Sequence, residues 1–319
     1  MTQPEDRKFM ILLMGVTGAG KTTFAARASG QDDLVIGHGL DPCTKDPLEV
    51  RFPLDGHNIV LIDTPGFDDD ERTDIDILTH IARWLSHRGL LSRDQPLDGL
   101  ILLHPVTRNG VSGMERRRTQ LLETILGKDA YKRVTIATTM WGSVKPEHAT
   151  SLEAEYSGAP DRRRGRLGEK GIWHNFRREG ASVVRHKNDR ESAHDIIRSI
   201  IKRSEAEGRL PETLLQKEMD NNLGFMGSSL GRQLMEHLEE DIRELEADML
   251  EHCRNEKPVS RGSRWSLGPL KESSKWLDWE LERQALERRI QRRQLQLKKL
   301  QSLLVSPCPF PANVLCKVS

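Results

Sequence analysis

"GVTGAGKTT", residues 15–23, is the stretch whose reading decides the fold. It satisfies the spacing GxxxxGK[ST], directly after the apolar run FMILLM (9–14) and at the opening of a helical pattern over 21–29. Glycines in such a loop let successive backbone N–H groups turn inward, and the following helix adds the partial positive charge of its N-terminus. The loop is therefore built to cradle phosphate. Lys21 is expected to reach the β- and γ-phosphates of a nucleoside triphosphate, and the Thr22 hydroxyl to ligate magnesium. Gly15, Val16, Thr17, Gly18, Ala19, Gly20, Lys21, Thr22 and Thr23 make up the expected phosphate site.

Outward from this loop, short apolar runs alternate with helical patterns, as in a mostly parallel sheet covered by helices. Strands are expected at 9–14, 48–54, 58–63, 99–104, 133–138 and 181–186, and helices at 21–29, 73–87, 113–126 and 190–203. Only the second and third strands are joined tightly, through DGHN (55–58). That turn signal makes them an antiparallel pair and puts the second strand at a sheet edge. The expected fold class is α/β: a three-layer domain of the P-loop nucleoside triphosphatase kind on a six-stranded sheet, followed by a helical extension.

A second motif, LIDTPGFDDD (61–70), places an acid at the end of the third strand. Asp63 there is suited to hold magnesium, usually through water, and Gly66 has no side chain to keep its N–H from the γ-phosphate. Between the two motifs, GHGLDPCTKD (37–46) carries Thr44 in the loop before the edge strand. Closing over the nucleotide, Thr44 would offer its hydroxyl to the same ion. Lys21, Thr44 and Gly66 are thus the expected catalytic set, and Thr22, Thr44 and Asp63 the expected metal set. His38, in the Thr44 loop, is a weaker candidate for phosphate.

GVTGAGKTT, Thr44 in CTKD, and DTPGFDDD with Phe67 after its glycine together resemble the GTPases. More closely they resemble the septin-like group that includes the immune-associated nucleotide-binding (GIMAP-like) and chloroplast-import (Toc) GTPases. The resemblance covers about residues 8–205 and implies the GTPase strand order, GTP and GDP as ligands with Mg2+, and pairing of two copies through their nucleotide faces. Two departures stand out. Rapidly regulated GTPases carry a glutamine just after DxxG to orient the attacking water; this chain has Phe67, so intrinsic hydrolysis is expected to be slow. Arg108 is one of the residues that would have to supply the missing group. Many GTPases also end the fifth strand with [NT]KxD, whose carboxylate reads guanine. Here VTIATTMWG (134–142) puts Thr138, Thr139, Met140 and Trp141 in that place, without the lysine or the aspartate. Two readings of Trp141 stand side by side: a stack on the purine, or packing against the neighbouring helix. Thr139, Trp141 and His186 are the expected contacts at the base end, and the loop around Arg185 and His186 would read the guanine edge.

Beyond residue 205 the character changes. Residues 228–255 and 276–304 carry helical leucine stripes. The first has eight acids and two arginines over 236–255, and the second seven basic residues and two acids over 282–299. Opposite charges suit an antiparallel pair within one chain or pairing between chains. The expected organisation is a G domain over 8–205, a helical or coiled-coil extension over 206–304 with a linker at about 256–275, and a disordered tail over 305–319.

Totals agree with a polar chain. Hydrophobic residues are 36%, charged residues 30%, mean hydropathy is -0.59 and formal charge is +1. No transmembrane segment is expected, because no apolar run approaches the roughly 20 residues that a spanning helix needs. No secretory signal is evident in MTQPEDRK, and the four cysteines form no CxxC pair, so a cytoplasmic setting is expected. The basic stretch over 161–178 has Trp173 and Phe176 interleaved. Core aromatics beneath a solvated helix account for it better than RNA does, and no specific nucleic-acid partner is expected. The leading functional reading is a GTP-binding switch or assembly module with slow, magnesium-dependent hydrolysis, paired as a homodimer through the nucleotide face or the extension. Beside it stand an ATP-dependent P-loop enzyme and a non-hydrolysing nucleotide-binding scaffold.

Overall fold

The computed structural model describes residues 7–31, 48–64, 97–107, 113–145, 147–148, 173–221, 227–255 and 269–305. The chain divides into two compact units, Met1–Lys217 and Glu218–Ser319. Thr44, Gly66, Phe67, His38, Arg108 and the helix expected over 73–87 lie outside the described residues.

Unit 1 is built on six strands: β1 (Lys8–Gly15), β2 (Leu48–Leu54), β3 (His57–Asp63), β4 (Gly99–Pro105), β5 (Val134–Thr139) and β6 (Ser182–Arg185). They lie in the order β2-β3-β1-β4-β5-β6, and every neighbouring pair is parallel except β2 with β3. The antiparallel pair follows from its turn. Leu54 faces His57, and the two residues between them, Asp55 and Gly56, have φ of 49° and 80°. Positive φ at both central residues is what a tight hairpin that continues the strand twist requires, and Asp-Gly supplies it.

Successive side chains of a strand point to opposite faces. On β1, Phe9, Ile11 and Leu13 join Ile59 and Leu61 of β3 and Ile101 and Leu103 of β4 on one face. Two helices contribute to this core: α1 (Lys21–Ser29), with Phe24, Ala25 and Ala28, and α4 (Arg190–Glu207), with Ile196, Ile197 and Ile200. Met10, Leu12 and Met14 are buried as well, so both faces of the central strand are covered, as parallel sheets require. Beside the sheet stand α2 (Gly113–Leu126), a 3-10 helix (Lys128–Arg133) absent from the sequence reading, and α3 (His174–Arg178). Tyr131 and Phe176 meet there with ring centroids 4.5 Å apart, and Trp173 sets its edge on His104 at 4.6 Å. The aromatics interleaved in the basic stretch are therefore core. At the entry end of the sheet, the buried Asp98 carboxylate accepts from the Met10 N–H at 2.8 Å, Ser204 at 2.5 Å and Arg7 at 3.1 Å. A buried acid is tolerable when its lone pairs are used in this way.

The short helix α5 (Leu214–Asp220) crosses the boundary between the units. Unit 2 holds α6 (Ser229–Asn255) and α7 (Pro269–Val305), which starts inside the stretch read as linker. The Glu218 carboxylate accepts from the Ser229 N–H at 2.8 Å and from its hydroxyl at 2.5 Å, satisfying a donor at the start of α6. The long helices run antiparallel within the chain: Asp241 pairs with Arg293 at 3.3 Å, while His252 stacks on Trp279 with centroids 5.1 Å apart. Leu234, Leu238, Leu245, Leu286 and Leu300 are buried. Each such side chain contributes about 1.5–3 kcal/mol, against roughly 1 kcal/mol or less for a partly exposed ion pair. The leucine seam holds the hairpin; opposite charge sets its partner.

Candidate nucleotide site

The site forms where β1, β3, β5 and β6 end. Between β1 and α1 the loop turns on itself, with the Ala19 N–H donating to Val16 O at 3.0 Å. Gly15 stands opposite Leu103 of β4, and a Cβ there would lie 2.5 Å from the Leu103 carbonyl oxygen. Gly20 precedes the helix at φ 92° with no side-chain cap, which leaves the first-turn N–H groups of α1 directed at the loop.

Lys21 is only 7% exposed, and its ammonium donates to Gly15 O at 3.0 Å and Val16 O at 3.1 Å. Burial lowers its pKa to about 8, partly offset by the charge of Asp63. Asp63, the last residue of β3 and fully buried, takes the Thr22 hydroxyl at 2.7 Å on Oδ2. The next residue fastens the strand end: the Thr64 hydroxyl donates to Leu13 O at 2.7 Å. Of the metal set expected from sequence, Thr22 and Asp63 are thus brought together. The Thr17 hydroxyl, in the same loop, is buried and has no hydrogen-bond partner among the described residues.

At the other end of the loop, Thr139 donates its hydroxyl to Ala19 O at 2.9 Å and ties β5 to the phosphate loop. Its neighbour Thr138 serves three groups: its hydroxyl lies 3.1 Å from Val184 O and 3.0 Å from the Trp141 indole nitrogen, and its carbonyl accepts the His186 N–H at 2.9 Å. For Trp141 the structure adds a cation to the two readings. The ring is 7% exposed, and the Arg185 guanidinium lies 4.4 Å over its centroid. A buried indole needs a partner for its N–H, and Thr138 is the nearest acceptor; one face of the ring lies under the Arg185 cation. Met140, between them, is 39% exposed at φ 63°.

His186 is buried with Nδ1 2.9 Å from the Ser192 hydroxyl, and its ring meets Phe24 of α1 at 5.0 Å. Burial holds its pKa below the ordinary histidine value, against the pull of Asp189. Ser192 was not singled out in the sequence, and Thr138 was placed at the strand end without a contact of its own. For Ser192 a local signal existed: Asp189 caps α4 by accepting the Ser192 N–H at 2.8 Å, an acid three residues before the first turn's serine.

Residues 10–138 match a family model described as "50S ribosome-binding GTPase". GTP-binding protein A of Dictyostelium discoideum is 27% identical over 139 residues, 43% of this chain and 29% of that protein. The tRNA modification GTPase MnmE of Methylorubrum populi is 31% identical over 107 residues, 34% of this chain and 22% of that protein. The chain therefore spans less than a third of the length of either relative. Among solved structures, a dimerization-deficient mutant of Toc33 from Arabidopsis thaliana superposes with a TM-score of 0.49 at 14% identity, over 64% of this chain and 87% of that one. Toc33 in complex with GDP and Mg2+ gives 0.48 at 14% identity, over 63% and 86%. Phosphate loop, strand order and family match together give unit 1 the fold of a P-loop GTPase G domain.

Proposed function

We propose that this chain binds GTP and hydrolyses it slowly with magnesium, serving as a nucleotide-controlled switch or assembly module of the septin-like group. The observation that carries the reading is the trio Lys21, Thr22 and Asp63, gathered around the phosphate loop at 2.7–3.1 Å. In this reading Lys21 leaves the Gly15 and Val16 carbonyls for the β- and γ-phosphates, and the loop N–H groups hold the oxygens around them. Magnesium fits the donors present. Thr22 Oγ1 and Asp63 Oδ2 are hard oxygens 2.7 Å apart, and one carboxylate with one hydroxyl leaves room for phosphate oxygens and water around an octahedral ion. Bound there, the ion would neutralise charge developing on the phosphates. Thr44 and Gly66 complete the proposed set, and Phe67, which can neither donate nor accept, keeps hydrolysis slow. A cytoplasmic setting belongs to the same proposal; Cys253 is free and exposed. Among the described residues, no helix is long and apolar enough to cross a membrane.

For the base, the proposal puts the Arg185 guanidinium between the purine and the Trp141 ring, since a guanidinium plane stacks on aromatics. Trp141→Ala should then weaken GTP and GDP alike, by about tenfold, the scale of one lost stacking partner. Unchanged binding would make the indole core packing and nothing more. The reading as a whole is tested by calorimetry with GTP, GDP and ATP in the presence of magnesium: if ATP binds as tightly as GTP, the GTPase assignment fails.

A homodimer completing the site in trans is the second part of the proposal, motivated by Phe67. Phosphate release per molecule should then rise with protein concentration over multiple turnovers; a flat profile argues against a second copy in catalysis. Phe67 also supports the reading in which the domain binds nucleotide as a scaffold, for which phosphate release would be absent altogether.

A further inference from the structure

We infer that His186 distinguishes a 6-oxopurine from a 6-aminopurine, by presenting an imidazole N–H at Nε2 to the O6 edge of the base. The inference rests on the nucleotide-binding reading above and adds the residue that makes it guanine-type. Placement comes first. His186 follows β6 immediately, and its backbone N–H is bound by Thr138 of β5, next to the residue that ties β5 to the phosphate loop. Its ring lies against Phe24, three residues into the helix that Lys21 opens. In open parallel sheets, ligands bind beyond the C-terminal ends of the strands, and His186 occupies such an end beside the phosphate loop.

The ring is 4% exposed, and among the described residues its Nε2 has no hydrogen-bond partner. Buried polar atoms in this condition are uncommon and call for a bound group. Which proton Nε2 carries follows from the other side of the ring. Ser192 Oγ accepts the Lys187 N–H at 3.0 Å, so its own proton has two acceptors to choose from: His186 Nδ1 at 2.9 Å and Asp189 O at 3.3 Å. The shorter contact takes it. Nδ1 is then the acceptor and Nε2 the N–H donor. Burial keeps the ring neutral, so the donor is a single directed one.

A donor at this place suits the guanine O6 and clashes with the adenine amino group, which is itself a donor and leaves the imidazole N–H buried and unpaired. The 2-amino edge is a different matter. Met140, Trp141, Gly142 and Ser143 follow β5 without a carboxylate, so the acceptor that usually takes the guanine N1 and N2 hydrogens is missing from its place. Selectivity should therefore follow the 6-position alone. Hypoxanthine, which keeps O6 and lacks the 2-amino group, should bind like guanine. 2-Aminopurine, which keeps the amino group and lacks O6, should bind like adenine.

The test is a set of dissociation constants for GTP, ITP, ATP and 2-aminopurine riboside triphosphate, with magnesium, on the full chain. The wild type should bind GTP and ITP within about threefold of one another and the other two about a hundredfold more weakly, the scale of one buried hydrogen bond and one stranded donor. In His186→Phe, which keeps a ring against Phe24, the GTP to ATP ratio should fall to within a few-fold of unity. Ratios are read because a partly unfolded sample shifts all four constants alike. Ser192→Ala, a positioning change that leaves the imidazole in place, should lower the ratio and move the imidazole 15N signals from the Nε2–H pattern toward a mixed tautomer. If ITP binds as weakly as ATP in the wild type, or if the preference survives His186→Phe, the role of His186 is overturned while the GTP site stands. If the wild type shows no preference, or binds no triphosphate, both readings fall.

Discussion

Lys21→Met, tested by calorimetry at pH 7, should cost at least a hundredfold in affinity for GTP and GDP and leave the domain as stable as before. The loss comes from removing the buried ammonium that donates to Gly15 O and Val16 O and that the phosphates would recruit. Without it, the bound phosphates lose their ammonium donor, and one or two charge-assisted hydrogen bonds of about 1.5–3 kcal/mol each disappear. Stability follows a separate argument. The Lys21 pKa falls from 10.5 to about 8 on folding, so the folded state binds its proton less tightly than the unfolded chain does. Below about pH 8 both states are protonated, and the full penalty of burying the charge is present, about 3 kcal/mol. Between pH 8 and 10.5 the unfolded chain holds more protons, so stability from this group rises with pH. Losing the ammonium at pH 7 therefore removes a destabilising charge together with its hydrogen bonds, and the melting temperature should not fall. The same linkage acts on binding with opposite sign. Phosphate favours the protonated lysine, so wild-type affinity should decline above about pH 8, approaching tenfold per unit, and this dependence should vanish in Lys21→Met. A variant that still binds GTP within tenfold of the wild type would remove Lys21 from the phosphate site.

Gly15→Ala should be the most damaging small substitution in the loop. A Cβ there would sit 2.5 Å from the Leu103 carbonyl oxygen and 3.4 Å from the Ala19 Cβ, at a φ of 149°. Gly15 and Leu103 are paired in the β1–β4 ladder, so relief requires prying two central strands apart where the loop begins. A loss on the order of 3 kcal/mol or more in urea unfolding is expected, together with loss of nucleotide binding. Gly18→Ala is the comparison. At φ 75° it meets nothing within 4 Å, so only the left-handed backbone is penalised, by about 1–2 kcal/mol. If the two variants unfold at the same urea concentration, close approach to Leu103 is not what fixes a glycine at position 15.

The sheet was legible because β-branched and leucine runs ending in turn residues have few other uses. Asp55 and Gly56 even gave away the antiparallel edge. Val134–Thr139 shows the limit: a strand ending one residue later than its pattern suggested turns Thr139 into the strand-end residue that grips Ala19. Local pattern also missed the 3-10 helix at Lys128–Arg133, whose buried Tyr131 packs on Phe176 far along the chain. At the site, residues in motifs of fixed spacing were found even where they converge from afar, as Thr22 and Asp63 do across 41 positions. Thr138 and Ser192 lie only three and six positions from Trp141 and His186, but outside any motif, and their roles follow from side-chain geometry that spacing does not specify. Trp141 was recognised as important but not its cover, because cation and ring come from different strand ends. For the helical hairpin, charge allowed pairing within or between chains, and the Asp241–Arg293 and His252–Trp279 contacts show the pairing inside one chain.

The edge position of β2 carries a further consequence. A strand at the edge of a sheet invites another strand to continue it, and a half-exposed leucine such as Leu48 adds to the invitation. Pro53 answers it. Paired with Asn58 in the ladder, it has no N–H to offer an incoming strand, and Glu49 and Arg51 place an ion pair at 2.5 Å along the same border. Addition of a strand from another copy is thereby opposed along this edge of the sheet, whatever forms at the opposite edge on β6.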